Sequence, residues 1–247
     1  MEITIMKKPK MIIFDYGQTL VNEKIFDPLK GTKAVLCDAA KNPNDVSAEE
    51  VQALANELNK EIRRYGMDIE KYAIVEVHTH IFQNYLYEYF NIELTKTPGE
   101  VEHIFEKAAS ISEPTTHIES FLEFLYDHKI RTSVISNISF SGELLKRRIN
   151  RYIPFNKFEF IIASSEYVFR KPHKRIFELA LRKAGLDCSD VWYCGDNAVC
   201  DVDGAADCGI FSVWYKGAME ECNKSIPKKK CLEISDWNEL IDILKCT

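Results

Sequence analysis

The sequence has no apolar run approaching the roughly 18 residues that cross a bilayer. The early run Met11-Ile12-Ile13-Phe14 stops at Asp15. It is too short for the core of a secretory signal and reads as a buried strand. No Cys-X-X-Cys pair occurs among the eight cysteines, at 37, 188, 194, 200, 208, 222, 231 and 246. The spacing indicates neither a zinc site nor a small disulfide scaffold. Several of these cysteines lie in apolar stretches, where a reduced thiol behaves as a small hydrophobe, so a reducing cytoplasm is the expected compartment. Positive charge is also in short supply: 32 Lys and Arg against 38 Asp and Glu give a net charge of −6. Nucleic acid and anionic membranes both select a basic face, so neither is an expected partner. A small anionic substrate stays open, because one lysine and a metal ion can bind it locally. With 10 glycines and 8 prolines in 247 residues, collagen-like and low-complexity chains are excluded. What is present, 46% apolar and 28% charged residues, is the composition of a globular protein with one large domain or two modest ones.

Three zones follow along the chain. A strand over 10–14 leads into Asp15-Tyr16-Gly17-Gln18-Thr19-Leu20. Residues 22–112 read as helical throughout. Ser47 and Glu50 form a capping box opening a helix with Val51, Leu54, Ala55, Leu58 and Ile62 on one face, ending near Gly66. A second helix is expected over 70–90, with Ile74, Val77, Ile81, Tyr85 and Tyr89 on one stripe, and a third after Pro98-Gly99; residues 26–40 supply a possible fourth. No strand is expected in this zone. From 113 onward short apolar strands (131–136, 158–163, 191–194, 210–214, 231–234) alternate with amphipathic helices (116–129, 142–152, 173–184, 200–207, 237–245). That alternation predicts an α/β fold with a parallel sheet covered on both faces. The expected division is a Rossmann-like doubly wound core, residues 1–21 and 113–247, with an all-α cap inserted over 22–112.

Ligands of open parallel sheets bind beyond the carboxyl ends of the strands, and several of those ends carry polar residues here. Asp15 closes the first strand, Ser136-Asn137 another, and Gly195-Asp196 a later one, with Asp201 five residues on. Each has an ordinary structural use: the aspartates as turn or helix caps, Ser136 as a turn residue, Lys171 as a solvated lysine. Taken together, carboxylates from two strand ends make a hard oxygen site suited to magnesium and would repel one another without a cation. Lys171, in Arg170-Lys171-Pro172-His173 just before a helix, would reach a phosphate as a point charge.

In this order and spacing, FDYGQTL, VISN, RKPHKRIF and CGDNAVCDVDGA resemble the four motifs of the haloacid dehalogenase-like (HAD) superfamily. The resemblance implies magnesium-dependent phosphoryl transfer on a small phosphorylated metabolite, by a phosphatase or phosphotransferase, through an aspartyl phosphate on Asp15. It assigns metal binding to Asp15, the Gly17 carbonyl, Asp196 and Asp201, with Asp201 acting from behind and orienting Lys171. Ser136, Asn137, Lys171 and Thr19 fall at the phosphate-binding positions. One departure stands out. HAD phosphatases carry a second aspartate two residues after the nucleophile as general acid and base, and this chain has Gly17 there. Gln18, a water, His78 or His80 are candidate replacements, the histidines reading first as packed helix residues of the cap. Phosphonate-cleaving members and dehalogenases also lack the second aspartate. Dehalogenases need no metal and tend to lose the acid kept here as Asp196, while a phosphonatase needs a cap lysine such as Lys30 or Lys33. A phosphate-binding pseudoenzyme is the further alternative. Substrate choice falls to the cap, with Lys24, Lys30, Arg63, Arg64, His78 and Tyr85 as candidates. Neither the substrate nor the oligomeric state is legible.

Overall fold

The computed structural model describes residues 7–64, 74–218 and 225–247. The strand expected at the start is β1 (Met11–Phe14), every residue of which is buried. Successive side chains of a strand point to opposite faces, so Ile12 and Phe14 enter one apolar core and Met11 and Ile13 another. On the first face lie α5 (Ile118–Asp127), α6 (Gly142–Tyr152) and α9 (Trp237–Lys245), contributing Phe121, Leu145, Ile149 and Trp237. On the second lies α7 (Lys174–Ala184), contributing Ile176, Phe177 and Ala180. A strand covered on both faces has no polar side to show, which is why it reads as an unbroken apolar run.

The other core strands are β4 (Arg131–Ser136), β5 (Ile161–Ala163), β6 (Val191–Gly195), β7 (Phe211–Tyr215) and β8 (Leu232–Ile234). They pair in parallel with β1 in one six-stranded sheet, ordered β5-β4-β1-β6-β7-β8. This is the expected Rossmann-like architecture. The order reverses at β1, which has β4 on one side and β6 on the other. The crevice beyond those three carboxyl ends is the topological switch point, where such sheets hold their ligands.

Between Asp27 and Ala109 run α1 (Pro28–Leu36), α2 (Ala48–Glu61), α3 (Thr79–Tyr89) and α4 (Pro98–Ala109), packed on a separate core that includes Val35, Val51, Leu86 and Val101. The capping box of Ser47 and Glu50 is present. Three expectations need correction. First, this zone is entered and left through an antiparallel ribbon, β2 (Val21–Phe26) and β3 (Ser110–Pro114), whose register shifts between Glu23 and Ile25. Second, the helix expected over 70–90 begins only at Thr79, leaving Ile74 and Val77 outside it. Its expected apolar stripe faces outward, Ile81, Tyr85 and Tyr89 all being more than half exposed, while Gln83, Leu86 and Tyr87 are buried. Residues 70–73 and Gly66 lie outside the described residues. Third, the strand expected over 158–163 contracts to Ile161–Ala163. Among the described residues, no helix is long and apolar enough to cross a membrane.

Candidate active site

The β1–β6 ladder seats the first carboxylate. Asp15 N–H donates to the Cys194 carbonyl at 2.8 Å, one residue past the end of β1. On β6 the chain continues through Gly195 to Asp196. Residues Ala198–Asp203 then make one wide π-helical turn, in which Val202 N–H reaches back to the Asn197 carbonyl at 3.2 Å; α8 (Gly204–Asp207) follows. Such turns concentrate at functional sites. Asn197, rather than Asp201, caps this turn, its Oδ1 accepting from Val199 N–H and Cys200 N–H at 3.1 and 2.9 Å. Asp201 instead folds back over β6 and accepts Asn197 N–H at 2.9 Å. A Cβ on Gly195 would stand 2.4 Å from the Asp201 carboxyl carbon, so the approach requires glycine there.

Lys171 closes the cluster. Its Nζ donates to Asp15 Oδ1 at 2.6 Å, Asp201 Oδ1 at 2.5 Å and the Tyr193 hydroxyl at 2.8 Å. An ammonium has three donors, and all three are used. Asn137 fixes the lysine backbone on both sides, accepting Lys171 N–H at 2.7 Å and donating to its carbonyl at 2.8 Å. Asn137 thus serves the site by aiming Lys171. His173 follows Pro172 and caps α7, its Nδ1 accepting Arg175 N–H at 3.3 Å. Ser136, buried at the end of β4, lines the same cavity. Thr19 is fully buried and absent from that lining; its hydroxyl donates to Asp196 Oδ1 at 3.4 Å. It therefore steadies a carboxylate where the family pattern gave it a place on the phosphate. Tyr193 escaped the sequence reading, because within Val191–Cys194 it counted only as an apolar strand residue.

Oxygen atoms of Asp15, Asp196 and Asp201 all lie within 4.8 Å of one another. Burial, then Asp201, push the Asp15 carboxyl up to about 7 against the opposing pull of Lys171. Burial and the two neighbouring carboxylates hold Asp196 well above the ordinary range. Burial opposes the charge on Lys171, but Asp15 and Asp201 outweigh it and keep the ammonium firmly protonated. One ammonium thus faces three acids, a deficit of positive charge that a divalent cation would fill. The all-oxygen donor set fits magnesium. Both Asp201 oxygens are already engaged, Oδ1 by Lys171 and Tyr193 and Oδ2 by Asn197 N–H. Asp15 and Asp196 are therefore the better placed ligands, and Asp201 the group that holds Lys171.

These residues open onto a cavity of about 440 Å³, also lined by Gly17, Gln18, Glu23, Arg64, Arg148 and Arg170. Larger clefts of about 680 and 690 Å³ lie elsewhere but hold none of the strand-end acids. Of the candidates named for substrate choice, Arg64 lines the cavity and the others do not. His78 and His80 lie outside it, beside Glu166 and Glu102 at 3.6 and 3.4 Å. Lys30 and Lys33 are exposed and paired with Asp27 and Glu49. Glu23 and Arg148, which sequence reasoning did not single out, form an ion pair on the cavity wall.

A strand-end aspartate facing a lysine and a second acid pair at the switch point of a parallel sheet defines a class of α/β hydrolases. The chain belongs to the haloacid dehalogenase-like hydrolase family, whose model matches residues 12–215. It is 28% identical over 212 residues to the pyrimidine 5'-nucleotidase YjjG of Escherichia coli (strain K12), covering 85% of this chain and 87% of that one. It is 25% identical over 246 residues to the glyceraldehyde 3-phosphate phosphatase of Methanocaldococcus jannaschii, covering 96% and 97%. The fold is shared with a 2-haloacid dehalogenase from Pseudomonas syringae, at a TM-score of 0.62 and 20% identity over 96% of this chain and 98% of that one.

Proposed function

We propose that the protein is a magnesium-dependent phosphatase acting on a small phosphorylated metabolite through an aspartyl phosphate on Asp15. The observation that carries this reading is the contact of Lys171 with both Asp15 and Asp201 while Asp196 stands within the same 4.8 Å cluster. The names of two relatives, a pyrimidine 5'-nucleotidase and a glyceraldehyde 3-phosphate phosphatase, support it. Asp15 and Asp196 would hold magnesium, which when bound supplies positive charge to the phosphoryl oxygens. Asp15 Oδ1 accepts from Lys171, which leaves Oδ2 to attack phosphorus and form the acyl phosphate as the bond from phosphorus to the substrate oxygen breaks and that oxygen departs with the electron pair. Lys171 holds its proton and neutralises charge on the transferring group. The Ser136 hydroxyl donates to an equatorial oxygen. This is catalysis by positioning and electrostatics, as phosphoryl transfer requires.

In this reading residues 22–112 act as a cap over the core formed by 1–21 and 113–247. Support comes from their separate apolar core and from the ties that seat them beside the site, such as Thr79 N–H to the Ser139 carbonyl at 2.8 Å. A cytoplasmic setting agrees with seven free cysteines among the described residues. A phosphonatase is disfavoured because Lys30 and Lys33, its candidate Schiff-base lysines, are exposed and lie off the cavity. The deciding assay is phosphate release from a panel of phosphorylated metabolites and nitrophenyl phosphate, with magnesium and with chelator. Release that needs magnesium supports the reading. Binding without release points to a pseudoenzyme, and magnesium-independent loss of halide from a haloacid points to a dehalogenase.

A further inference from the structure

Gly17 has no side chain, yet the space beside it holds a carboxylate. A Cβ on Gly17 would stand 3.1 Å from Glu23 Oε2 and 3.7 Å from the Glu23 carboxyl carbon. The ribbon strand β2 therefore brings an acid to the place where residue 17 would have carried one. Glu23 sits where the β2–β3 register shifts, and such irregularities re-aim side chains. Gln18 Nε2 donates to the Glu23 carbonyl at 3.2 Å and fixes its backbone. Arg148, buried on α6, donates to Glu23 Oε1 at 2.5 Å and lies over the Tyr16 ring at 5.1 Å from its centre. Oε1 is thereby taken, while Oε2 is the oxygen nearest Gly17. Glu23, Gly17, Asp15 and Asp196 line one cavity. The other candidates for this duty fare worse. Gln18 carries a non-basic amide, and His78 and His80 lie outside the cavity.

We propose that Glu23 is the general base that residue 17 cannot be, its Oε2 taking the proton of the water that hydrolyses phosphorylated Asp15. The inference rests on the aspartyl phosphate reading above. In the step, the water O–H bond breaks and the proton passes to Glu23 Oε2. The water oxygen bonds to phosphorus as the bond from phosphorus to the Asp15 oxygen breaks. That electron pair returns to the Asp15 carboxylate, phosphate leaves, and the proton on Glu23 is lost to solvent. In the preceding half-reaction no water is deprotonated, so this role of Glu23 is idle there. The departing oxygen remains unassisted, and only the second half of the cycle gains a base.

The test is rapid-mixing kinetics on nitrophenyl phosphate with magnesium, using the whole protein and Glu23→Gln, which keeps an acceptor for Arg148. The wild type should turn over steadily. Glu23→Gln should release one nitrophenolate per active site at close to the wild-type rate and then slow by about a hundred-fold or more, the low end of general base contributions. Phosphorylated protein should accumulate in that variant and be seen by intact mass. Gly17→Asp added to Glu23→Gln should restore part of the steady rate. Glu23→Asp, which keeps the charge facing Arg148, gives the same readout if the amide variant does not fold. A steady rate in Glu23→Gln equal to wild type overturns the role of Glu23 alone. So does an equal fall in both phases without phosphorylated protein. A wild type that neither releases phosphate nor becomes phosphorylated overturns the proposed function, and this inference with it.

Discussion

Lys171 and Arg148 are both buried cations on the cavity wall, and their surroundings differ in kind. The three donors of Lys171 meet three acceptors, on Asp15, Asp201 and Tyr193, all positioned by β1, β6 and the turn after β6. Arg148 joins parts from separate regions: Glu23 on the ribbon, Glu106 on α4 at 3.3 Å, and the ring of Tyr16. Around it Arg148 Nε, Glu106 Oε2 and the Tyr16 hydroxyl have no hydrogen-bond partner within the described residues. A fully matched cluster has one arrangement, which suits a site that must hold reacting atoms in line. An incompletely matched one can trade partners, which suits a joint between the helical zone and the sheet. Altering the first should therefore stop the chemistry and spare the fold, whereas altering Arg148 or Glu106 in the second should cost stability.

The largest effect is expected at Asp15. Asp15→Asn should fold normally and lose all detectable turnover of nitrophenyl phosphate; rates near wild type would remove aspartyl catalysis from consideration. Asp196→Asn comes next. Magnesium should raise the melting temperature of the wild type, because a ligand binding only the folded state stabilises it, and the variant should show neither that rise nor magnesium-dependent turnover. Unchanged magnesium affinity would refute the metal assignment. Arg148→Met should destabilise the fold by about 3 kcal/mol in urea titration, the low end for breaking a buried pair, since it leaves buried Glu106 with only the half-exposed Arg151 at 3.5 Å. Glu106→Gln in the same chain should recover most of that loss. A stable single variant would erase the contrast drawn between the two cations.

Below these comes a preference among substrates. With no acid at position 17, acyl or aryl phosphates should exceed alkyl monophosphates by at least about a hundred-fold, the low end of general acid contributions. Alkyl turnover near ten per second, an ordinary enzyme rate of about that size, would show that another group protonates the leaving oxygen. The smallest effect belongs to the capping box of α2. Ser47→Ala should cost about 1 kcal/mol of stability and leave turnover unchanged, since Ser47 touches neither cluster.

Much of the site was legible because its residues sit where strands end. β4 occupies the expected 131–136, and Asp15, Ser136 and Asp196 follow from apolar runs that stop on polar residues. The ribbon was not legible, because β2 is exposed over its second half and its alternation is broken by the register shift after Glu23. The start of α3 gave no signal, because its cap is His78, whose ring accepts His80 N–H at 3.0 Å, and histidine is not among the usual capping residues. The exposed aromatic stripe on that helix imitates a core-facing one at the same spacing. The pairing of Glu23 with Arg148 joins residues 125 apart, and no local pattern announces such a contact.

The position of β1 bears on how the protein is made. Met11 pairs with Arg131 on one side and Val191 on the other, so β1 must wait for two strands made much later before both its edges are paired. The helical zone, with Val35, Val51, Leu86 and Val101, is complete in sequence before either neighbour exists. Contacts so distant along the chain form slowly. A nascent chain halted before Val191 carries an apolar strand with a bare edge, a template for association with other chains. When β6 docks, it closes that edge of β1 and in the same event brings Asp196 and Asp201 to Asp15, so one pairing both covers the strand and assembles the acid cluster.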